Sequence, residues 1–300
     1  MAEREIDAVR RLLAAKPRPV GWAERRRRLD EVGSVSPPAP DIVLTAVDLD
    51  GIPGEWSLSP GADAGRVLLF FHGGGFCAGS IASHRRLVTE AGRAAGARTL
   101  AVGYRLAPEH PFPAALDDAL TAWDVLMREG ARPDGIVVGG DSAGGALAVA
   151  LIDRLRGEGR PGPACAWLMS PWTDLTLSGS TLASKDGVDP LIHKPYLEEL
   201  AAAYAPAGVD RADPRVSVLN ADLAGFPPTL IQVGSAETLL GDAVRRRGRG
   251  GRRSRDPGNL AGHDPRLAPV ERPARRRPRR PGPRRRVHAG LLGGQRLGGR

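Results

Sequence analysis

Cysteine, aromatic side chains and long apolar runs are all scarce in this chain of 300 residues. Its two cysteines, Cys77 and Cys165, provide neither a disulfide framework nor the spacing of a metal site, so we expect buried thiols in a reducing compartment. No apolar run approaches the ~20 residues that cross a bilayer. The charges scattered through residues 1–13 are unlike a signal peptide. We therefore expect a cytoplasmic protein without a membrane span.

Aromatic residues are absent from residues 245–300, where arginine, glycine and proline dominate. This segment holds nineteen arginines and three acids, a net charge of +16, whereas residues 1–244 hold 24 basic and 31 acidic residues, a net charge of −7. Seven prolines forbid a long helix there and no strand-like apolar run is present, so we expect a disordered tail. Arginines without interleaved aromatics bind phosphates non-specifically, so we expect no specific nucleic-acid partner.

A strand–turn–helix pattern surrounds Ser142. The β-branched Val137 and Val138 lead into Gly-Asp-Ser-Ala-Gly at residues 140–144, and the helix-forming residues 146–155 follow. Such a turn lifts a serine out of the sheet, exposes its Oγ and places it at a helix N-terminus, where negative charge is stabilised. The pentapeptide alone is compatible with an ordinary turn. The strand before it and the helix after it favour a nucleophilic serine.

A second motif follows the apolar residues 66–71, which we interpret as a buried strand. Three consecutive glycines at residues 73–75 form a costly loop unless backbone amides must approach another group closely. We assign the N–H groups of Gly73, Gly74 and Ala143 to a hole that stabilises an oxyanion. One such donor is typically worth about 10²–10³ in turnover. A merely flexible glycine loop is the alternative interpretation.

Apolar runs alternate with helical patterns along most of the chain. Strands are predicted at residues 42–49, 55–58, 66–71, 99–104, 164–169 and 229–233, and before Ser142. Helices are predicted at residues 2–14, 22–32, 83–95, 113–129 and 194–204, and after Ser142. This alternation indicates an α/β fold with a mostly parallel sheet that helices cover on both faces. Arginines 25–28 are interleaved with acids, which indicates a solvated helix face rather than a nucleic-acid patch.

Four motifs together resemble the α/β-hydrolase esterases and lipases related to hormone-sensitive lipase. They are HGGGF at residues 72–76, YRLAPEHPFPAA at 104–115, GDSAGG at 140–145 and SPWTDL at 170–175. The resemblance covers residues 1–244 and implies an α/β-hydrolase core at residues 41–244. It also implies a small helical cap, formed by residues 1–40 and by an insertion near residues 185–215.

The same resemblance implies a serine carboxylesterase or lipase. Its substrates would be short to medium acyl esters, with Ser142 as the nucleophile and with no cofactor or metal. The implied partner is therefore a small-molecule ester, and a homodimer stays open. Because α/β-hydrolase folds also host amidases, thioesterases and dehydratases, the fold alone does not decide among these reactions.

The candidate acid follows the last predicted strand. In α/β-hydrolases the chain order is serine, acid, histidine. Glu237 lies just beyond residues 229–233, at the carboxyl end of a strand where parallel sheets present ligands. Glu237 is therefore the candidate acid and Asp242 is the alternative. Either carboxylate could instead cap a helix or lie on the surface.

The family's histidine segment has no matching counterpart in this sequence. His263 lies 26 residues after Glu237, close to the implied position, but its neighbours do not match the family, and His288 lies farther along. We keep His263 as the candidate base and hypothesise that a change of reading frame near residues 244–246 produced the tail. A second functional hypothesis is a catalytically impaired hydrolase-fold protein that binds a ligand without turnover.

Overall fold

The computed structural model describes residues 19–249 together with Asp7 and Arg11. Within these residues seven strands form one sheet: β1 Val43–Asp48, β2 Pro53–Leu58, β3 Asp63–Phe71, β4 Ala97–Val102, β5 Ile136–Asp141, β6 Cys165–Met169 and β7 Thr229–Gln232. The helices with bounds are α1 Trp22–Ser34, α2 Ile81–Ala95, α3 Ala114–Arg128, α4 Ala143–Gly157, α5 Thr181–Ser184, α6 Lys194–Tyr204 and α7 Leu240–Arg249. Two short 3₁₀ turns lie at Pro133–Gly135 and Val218–Asn220.

The strands are ordered β1-β2-β4-β3-β5-β6-β7 across the sheet. The hairpin β1–β2 and the pair β2–β4 are antiparallel, whereas β4–β3, β3–β5, β5–β6 and β6–β7 are parallel. The predicted α/β fold with a mostly parallel sheet is therefore confirmed. Strand β5, which precedes the candidate nucleophile Ser142, lies inside the sheet between β3 and β6.

Helices cover both faces of the sheet because β3 is apolar on both of its faces. Leu69 and Phe71 point into the large core cluster, which includes Leu147 of α4. The alternate residues Leu68 and Phe70 pack instead with Val88 of α2. Side chains along a strand alternate between faces, so the continuous apolar run of β3 can bury both.

Most predicted elements agree with the structure to within a few residues. Helix α2 begins at Ile81, two residues before the prediction, because the side chains of Ser80 and Ser83 cap its first turn reciprocally. The predicted tail begins at residue 245, but helix α7 continues to Arg249. Its residue Arg245 forms an ion pair with Asp174 at 2.7 Å, which ties this turn to the body.

Two predictions lie outside the part of the chain that the structure describes. The helix at residues 2–14 is described only at Asp7 and Arg11, both of which are helical. Residues 250–300, including His263 and His288, fall outside the description altogether. For the described part, no helix combines the length and apolar character needed to cross a membrane.

Helices α1 and α6, the two elements of the predicted cap, contact each other. Arg25 of α1 pairs with Glu199 of α6 at 2.7 Å, and its guanidinium lies 5.1 Å from the centre of the Tyr196 ring. The prediction of a solvated arginine face holds for Arg27, whose side chain is 57% exposed. It is wrong for Arg26, which donates to backbone oxygens beside the glycine loop.

Candidate active site

The motif loops all leave the sheet at the carboxyl ends of adjacent parallel strands. Phe71 at the end of β3 pairs with Gly140 of β5, and Asp141 pairs with Met169 of β6. Met169 in turn pairs with Gln232, the last residue of β7. The glycine loop, the Ser142 turn and the loop that carries Glu237 therefore begin at one edge, where open α/β sheets bind their ligands.

Ser142 occupies the turn between β5 and α4 with an unusual backbone. Its φ of 50° and ψ of −119° lie in a region that a residue with a side chain rarely adopts. Its N–H donates to Met169 O at 2.9 Å and its carbonyl accepts from Trp172 N at 3.0 Å. The side chain is half-buried, and within residues 19–249 its Oγ makes no hydrogen bond. The predicted strand–turn–helix geometry is thus present, with a hydroxyl that is not engaged.

Two glycines let the Ser142 turn pack against the end of β3. A Cβ on Gly144 would lie 2.0 Å from Phe71 O, and one on Gly140 would lie 2.4 Å from the backbone of Gly144. Real Cβ atoms do not approach backbone atoms so closely. These glycines are therefore required by close approach, which holds the Ser142 turn against the start of the glycine loop.

The glycine loop uses one of its amides within the fold and leaves two others unbonded. The N–H of Gly73 donates to Asp141 Oδ1 at 2.9 Å. Gly74 has a φ of 120°, and a Cβ at this position would lie 2.2 Å from Ala78 O, so only glycine fits. The amides of Gly74, Gly75 and Ala143 have no hydrogen-bond acceptor in the described part of the chain. Two of the three predicted oxyanion donors are thus free, and Gly73 is committed to Asp141.

The buried side chains of His72 and Tyr104 pack together at the start of the glycine loop. The rings stack with their centres 4.3 Å apart, and the Tyr104 hydroxyl donates to His72 O at 2.6 Å. Burial lowers the pKa of His72 to about 4, so this imidazole is neutral near pH 7. Tyr104 belongs to the YRLAPEHPFPAA motif at residues 104–115, but its contact with the glycine loop was not predicted.

Arg26 of helix α1 binds the backbone beside the glycine loop. Its Nε donates to Cys77 O and an Nη to Ala107 O, each at 2.9 Å. Glu109 pairs with the same guanidinium at 2.6 Å. Cys77 itself is buried, and burial raises the pKa of its thiol to about 12, so it is not a nucleophile at neutral pH.

An aromatic cluster lies between the glycine loop and helix α6. Phe76, with φ of 62°, stacks on Tyr204 at 3.8 Å between ring centres, and Trp172 packs at 6.2 Å from Phe76. All three side chains are buried. A Cβ on Gly75 would lie 2.4 Å from Leu200 of α6. Helix α6 therefore packs directly on the loop that carries the unbonded amides.

The two candidate acids have different surroundings. Glu237 is half-buried in the loop after β7, where its Oε1 accepts from Gly234 N at 2.6 Å. Asp242 is buried and its Oδ2 accepts from the backbone amides of Thr173 and Asp174 at 2.8 and 2.9 Å. Burial raises the pKa of Asp242 to about 6, although the two amides and Arg245 act against this shift. Asp242 thus organises the SPWTDL loop, and Glu237 is the acid nearer the solvent.

The four described histidines do not supply a base to Ser142. His72 bonds its neighbour's backbone at Gly73 O, and His84 bonds Ser83 and Asp141. The remaining two are His110, which is exposed, and His193, which pairs with Asp186. None of the four hydrogen-bonds Ser142. The predicted base His263 and the more distant His288 lie outside the described residues, so these assignments stay predictions.

The described residues contain no group of three or more His, Cys, Asp or Glu side chains that could hold a metal ion. Both cysteines are free thiols. The Ser142 turn is instead bordered by Asp141 and by the glycines that bring it against the end of β3. This composition suits nucleophilic chemistry that is supported by backbone donors.

Known proteins resemble this chain over most of its length. A family model described as the alpha/beta hydrolase fold matches residues 68–249. An acetyl-hydrolase of Streptomyces hygroscopicus is 38% identical over 252 residues, which cover 81% of this chain and 81% of that protein.

Solved structures of esterases agree with the same backbone. An esterase of the bacterial hormone-sensitive lipase family is 40% identical, with a TM-score of 0.79 over 83% of this chain and 85% of that one. The esterase EstE5, from a crystal soaked with p-nitrophenyl butyrate, is 37% identical, with a TM-score of 0.78 over 83% and 84% of the two chains.

The parallel sheet and the loops at its carboxyl edge define an α/β hydrolase. The chain belongs to the α/β-hydrolase fold family and, within it, to the esterases related to hormone-sensitive lipase, as its four motifs predicted.

Proposed function

We propose that this chain is a serine carboxylic ester hydrolase that acts on short to medium acyl esters. The observation that carries the proposal is the Ser142 turn. Ser142 lies at the N-terminus of α4 with a φ of 50°, and its Oγ has no hydrogen-bond partner in the described part of the chain. The glycine loop beside it carries unbonded amides. A strained serine whose hydroxyl has no hydrogen-bond partner among residues 19–249, at the ligand edge of a parallel sheet, is the arrangement that a nucleophile requires.

The proposed reaction begins when Ser142 Oγ attacks the ester carbonyl carbon and a base accepts the hydroxyl proton. The carbonyl oxygen becomes an oxyanion, which the amides of Ala143 and Gly74 stabilise. Gly75, whose amide is also free, takes the place of Gly73 in this proposal, because Gly73 is bonded to Asp141. The alcohol leaves with the proton, and water then hydrolyses the acyl-enzyme.

Glu237 is the proposed acid of the triad and His263 is the proposed base. Asp242 is less suited to the acid's role, because two backbone amides already occupy its carboxylate. His263 is retained because none of the described histidines bonds Ser142. A hydrolase that lacks one member of its triad keeps about 10³–10⁴ over the uncatalysed rate, so the base decides how fast this chain turns over.

Short acyl groups are favoured by the relatives and by the packing around the glycine loop. One relative is named an acetyl-hydrolase, and one related crystal was soaked with a butyrate ester. In this chain, Phe76, Trp172 and Tyr204 fill the space between the glycine loop and the cap. Buried aromatic side chains next to the glycine loop leave little room there for a long acyl chain.

The test is a pre-steady-state assay with p-nitrophenyl acetate, butyrate and octanoate. We expect a burst of p-nitrophenolate, acyl-enzyme visible by intact mass on Ser142, and higher kcat/KM for the two shorter esters. Ser142→Ala should abolish the burst, whereas Ser34→Ala, at an exposed serine ending α1, should leave it unchanged. Equal rates of ester hydrolysis for the wild type and Ser142→Ala would contradict the proposed esterase activity.

A catalytically impaired binding protein is the second candidate. It is favoured by one observation, that no described histidine forms a hydrogen bond with Ser142. This candidate predicts saturable binding of ethyl butyrate by ligand-detected NMR, without a burst and without acylation. His263→Ala separates the two functions: a fall in kcat of about 10³-fold or more supports the enzyme, and an unchanged residual rate supports the binding protein.

A further inference from the structure

His84 lies in the first turn of helix α2, outside every motif that pointed to the active site, and yet it contacts the residue before Ser142. Its Nε2 is 3.2 Å from Asp141 Oδ2 and its Nδ1 is 2.8 Å from Ser83 Oγ. The His84 side chain is 15% exposed and that of Asp141 is 25% exposed. The pair is therefore partly shielded from solvent, where a charged contact is stronger than at the surface.

The neighbouring hydrogen bonds determine how many protons the His84 ring carries. Ser83 Oγ donates its own proton to Ser80 O at 2.9 Å, so it can only accept from Nδ1. The Asp141 carboxylate already accepts from Gly73 N on Oδ1, and its Oδ2 can only accept from Nε2. Both of these bonds are satisfied when the two ring nitrogens donate, which makes His84 an imidazolium; the neutral ring could instead accept from the Gly73 N–H, which lies 3.3 Å from Nε2.

The charges around the ring agree with this protonation state. Burial opposes the charge, but the hydrogen bond and negative charge of Asp141 outweigh it, and Asp30 of α1 adds to them, so the pKa of His84 is raised. Asp30 accepts from Ser80 Oγ. The other titratable group facing the ring is His72, whose ring centre is 5.6 Å away and which is neutral near pH 7.

We propose that His84, in its protonated form, is a positioning residue that holds Asp141 against the glycine loop and thereby presets the oxyanion donors. The inference rests on the proposed function, because it assigns a task to those donors. One carboxylate joins three elements: Oδ1 binds the loop at Gly73 and Oδ2 binds α2 at His84, while Asp141 itself precedes the nucleophile. Fixing Gly73 fixes the direction in which the next two amides point.

The geometry also shows what happens when His84 loses its proton. The N–H of Gly73 lies between two acceptors, 2.9 Å from Asp141 Oδ1 and 3.3 Å from His84 Nε2, and it can donate to Nε2 only when that nitrogen carries a lone pair. A deprotonated Nε2 would also repel Asp141 Oδ2. The anchoring is therefore present below the raised pKa of His84 and is lost as the pH rises through it.

Amide hydrogen exchange tests the proposal without requiring turnover. Exchange is measured by mass spectrometry on peptides that cover the glycine loop of the full-length chain, in the wild type, His84→Ala and His84→Gln. We expect His84→Ala to accelerate exchange of the Gly73 amide about tenfold or more, because one charged anchor is lost. Glutamine can still donate to Asp141, so His84→Gln should stay within about threefold of the wild type.

The control variant is His110→Gln, at an exposed histidine before α3. It should leave exchange in the glycine loop unchanged. In the wild type, protection of Gly73 corrected for intrinsic exchange should fall as the pH rises through the pKa of His84, and His84→Gln should lack this step. Unchanged loop exchange in His84→Ala, or acceleration spread equally over all core peptides, would overturn the proposal.

Covalent labelling of Ser142 connects the loop to the chemistry. Diethyl p-nitrophenyl phosphate forms an Oγ–P bond, releases p-nitrophenolate and passes the hydroxyl proton to the base or buffer. We expect His84→Ala to slow this labelling about tenfold and His84→Gln to slow it less than about threefold, in parallel with the exchange results. If wild-type Ser142 is not labelled at all, the proposed function fails, and the exchange data alone decide the role of His84.

Discussion

The candidate nucleophile Ser142 follows a strand at the centre of the sheet, whereas the candidate acid Glu237 follows a strand at its edge. Residues 67–71 of β3 are at most 5% exposed, and β5 lies between β3 and β6. Strand β7 pairs with β6 on one side, has no other partner in the described part of the chain, and exposes 53% of Leu230. The serine and the amides are thus positioned by the core, whereas the candidate acid Glu237 follows an edge strand that contains no buried residue.

The carboxylates of Asp141, next to the candidate nucleophile, and of Glu237, the candidate acid, differ in the same way. Asp141 is bound from two directions, by Gly73 of the loop and by His84 of α2. The carboxylate of Glu237 accepts from Gly234, three residues away in its own loop. Hydrogen bonds to two separate elements restrain a side chain more than one hydrogen bond within its own loop. We therefore expect the Asp141 side chain to be more rigid than that of Glu237.

The largest expected effect comes from filling the gap between the Ser142 turn and β3. Gly144→Val places side-chain atoms within 2.0 Å of Phe71 O, and we expect it to lower the free energy of unfolding by about 3 kcal/mol or more. Gly157→Ala, in the same helix, meets nothing within 4 Å and should change it by less than about 1 kcal/mol. Urea unfolding followed by tryptophan fluorescence measures both, and similar midpoints would contradict the contrast.

Replacing one leucine of β3 and one of β7 by alanine tests the difference in burial between these two strands. Leu69→Ala removes a side chain that is 0% exposed and should cost about 2–5 kcal/mol of unfolding free energy. Leu230→Ala, at 53% exposure, should cost less than about 1 kcal/mol. Equal losses in urea unfolding would mean that β7 is as well packed as β3, and the comparison would fail.

Asp242→Asn should change how stability depends on pH. Because burial raises the pKa of Asp242 to about 6, above its value in the unfolded chain, the folded state binds this proton more tightly. The group's contribution to stability is fully present below about pH 4 and is lost as the pH rises through about 6, by about 3 kcal/mol.

The variant lacks this loss, so its unfolding free energy relative to the wild type should improve between pH 4 and pH 7. Glu237→Gln serves as the control, because the Glu237 carboxylate is only half-buried. This variant should reduce the burst of p-nitrophenolate and leave the pH dependence of stability unchanged. A pH dependence of stability that is identical in Asp242→Asn and the wild type would show that Asp242 is not the buried acid described here.

The smallest expected effect concerns the support beneath the glycine loop. Tyr104→Phe keeps the stack on His72 but removes the hydrogen bond to His72 O, which is 2.6 Å long. We expect a loss of about 1 kcal/mol in unfolding free energy, since a buried carbonyl loses its donor. A variant as stable as the wild type would show that the loop does not depend on this bond.

Sequence reasoning was most successful where the structural cause is local. The Ser142 turn and the glycine loop are marked by glycines that backbone sterics demand, so their elements were predicted to within a few residues. The same reasoning could not place β4 between β2 and β3, because strand order depends on contacts between residues far apart in the chain. Arg26 was misassigned for the same reason, since its backbone acceptors at Cys77 and Ala107 are distant in sequence.

His84 shows what kind of signal was available and what was missing. The serines at 80 and 83 mark the start of a helix directly after the glycine loop, so a histidine in its first turn could have been placed near that loop. Its partner Asp141 is 57 residues away, and no local pattern connects them. Asp242 was likewise treated as a spare acid, because its burial and its two amide partners arise only from tertiary packing.

The close approach of Gly140 and Gly144 to β3 has a consequence for engineering this enzyme. No methyl group can be added at these positions without moving the backbone, so this part of the protein offers almost no tolerated variation. Helix α6 is different, because its side chains reach the glycine loop through Leu200 and Tyr204 while its outer residues are exposed. Mutant libraries designed to shift selectivity between esters should therefore concentrate on α6 and leave the glycines untouched.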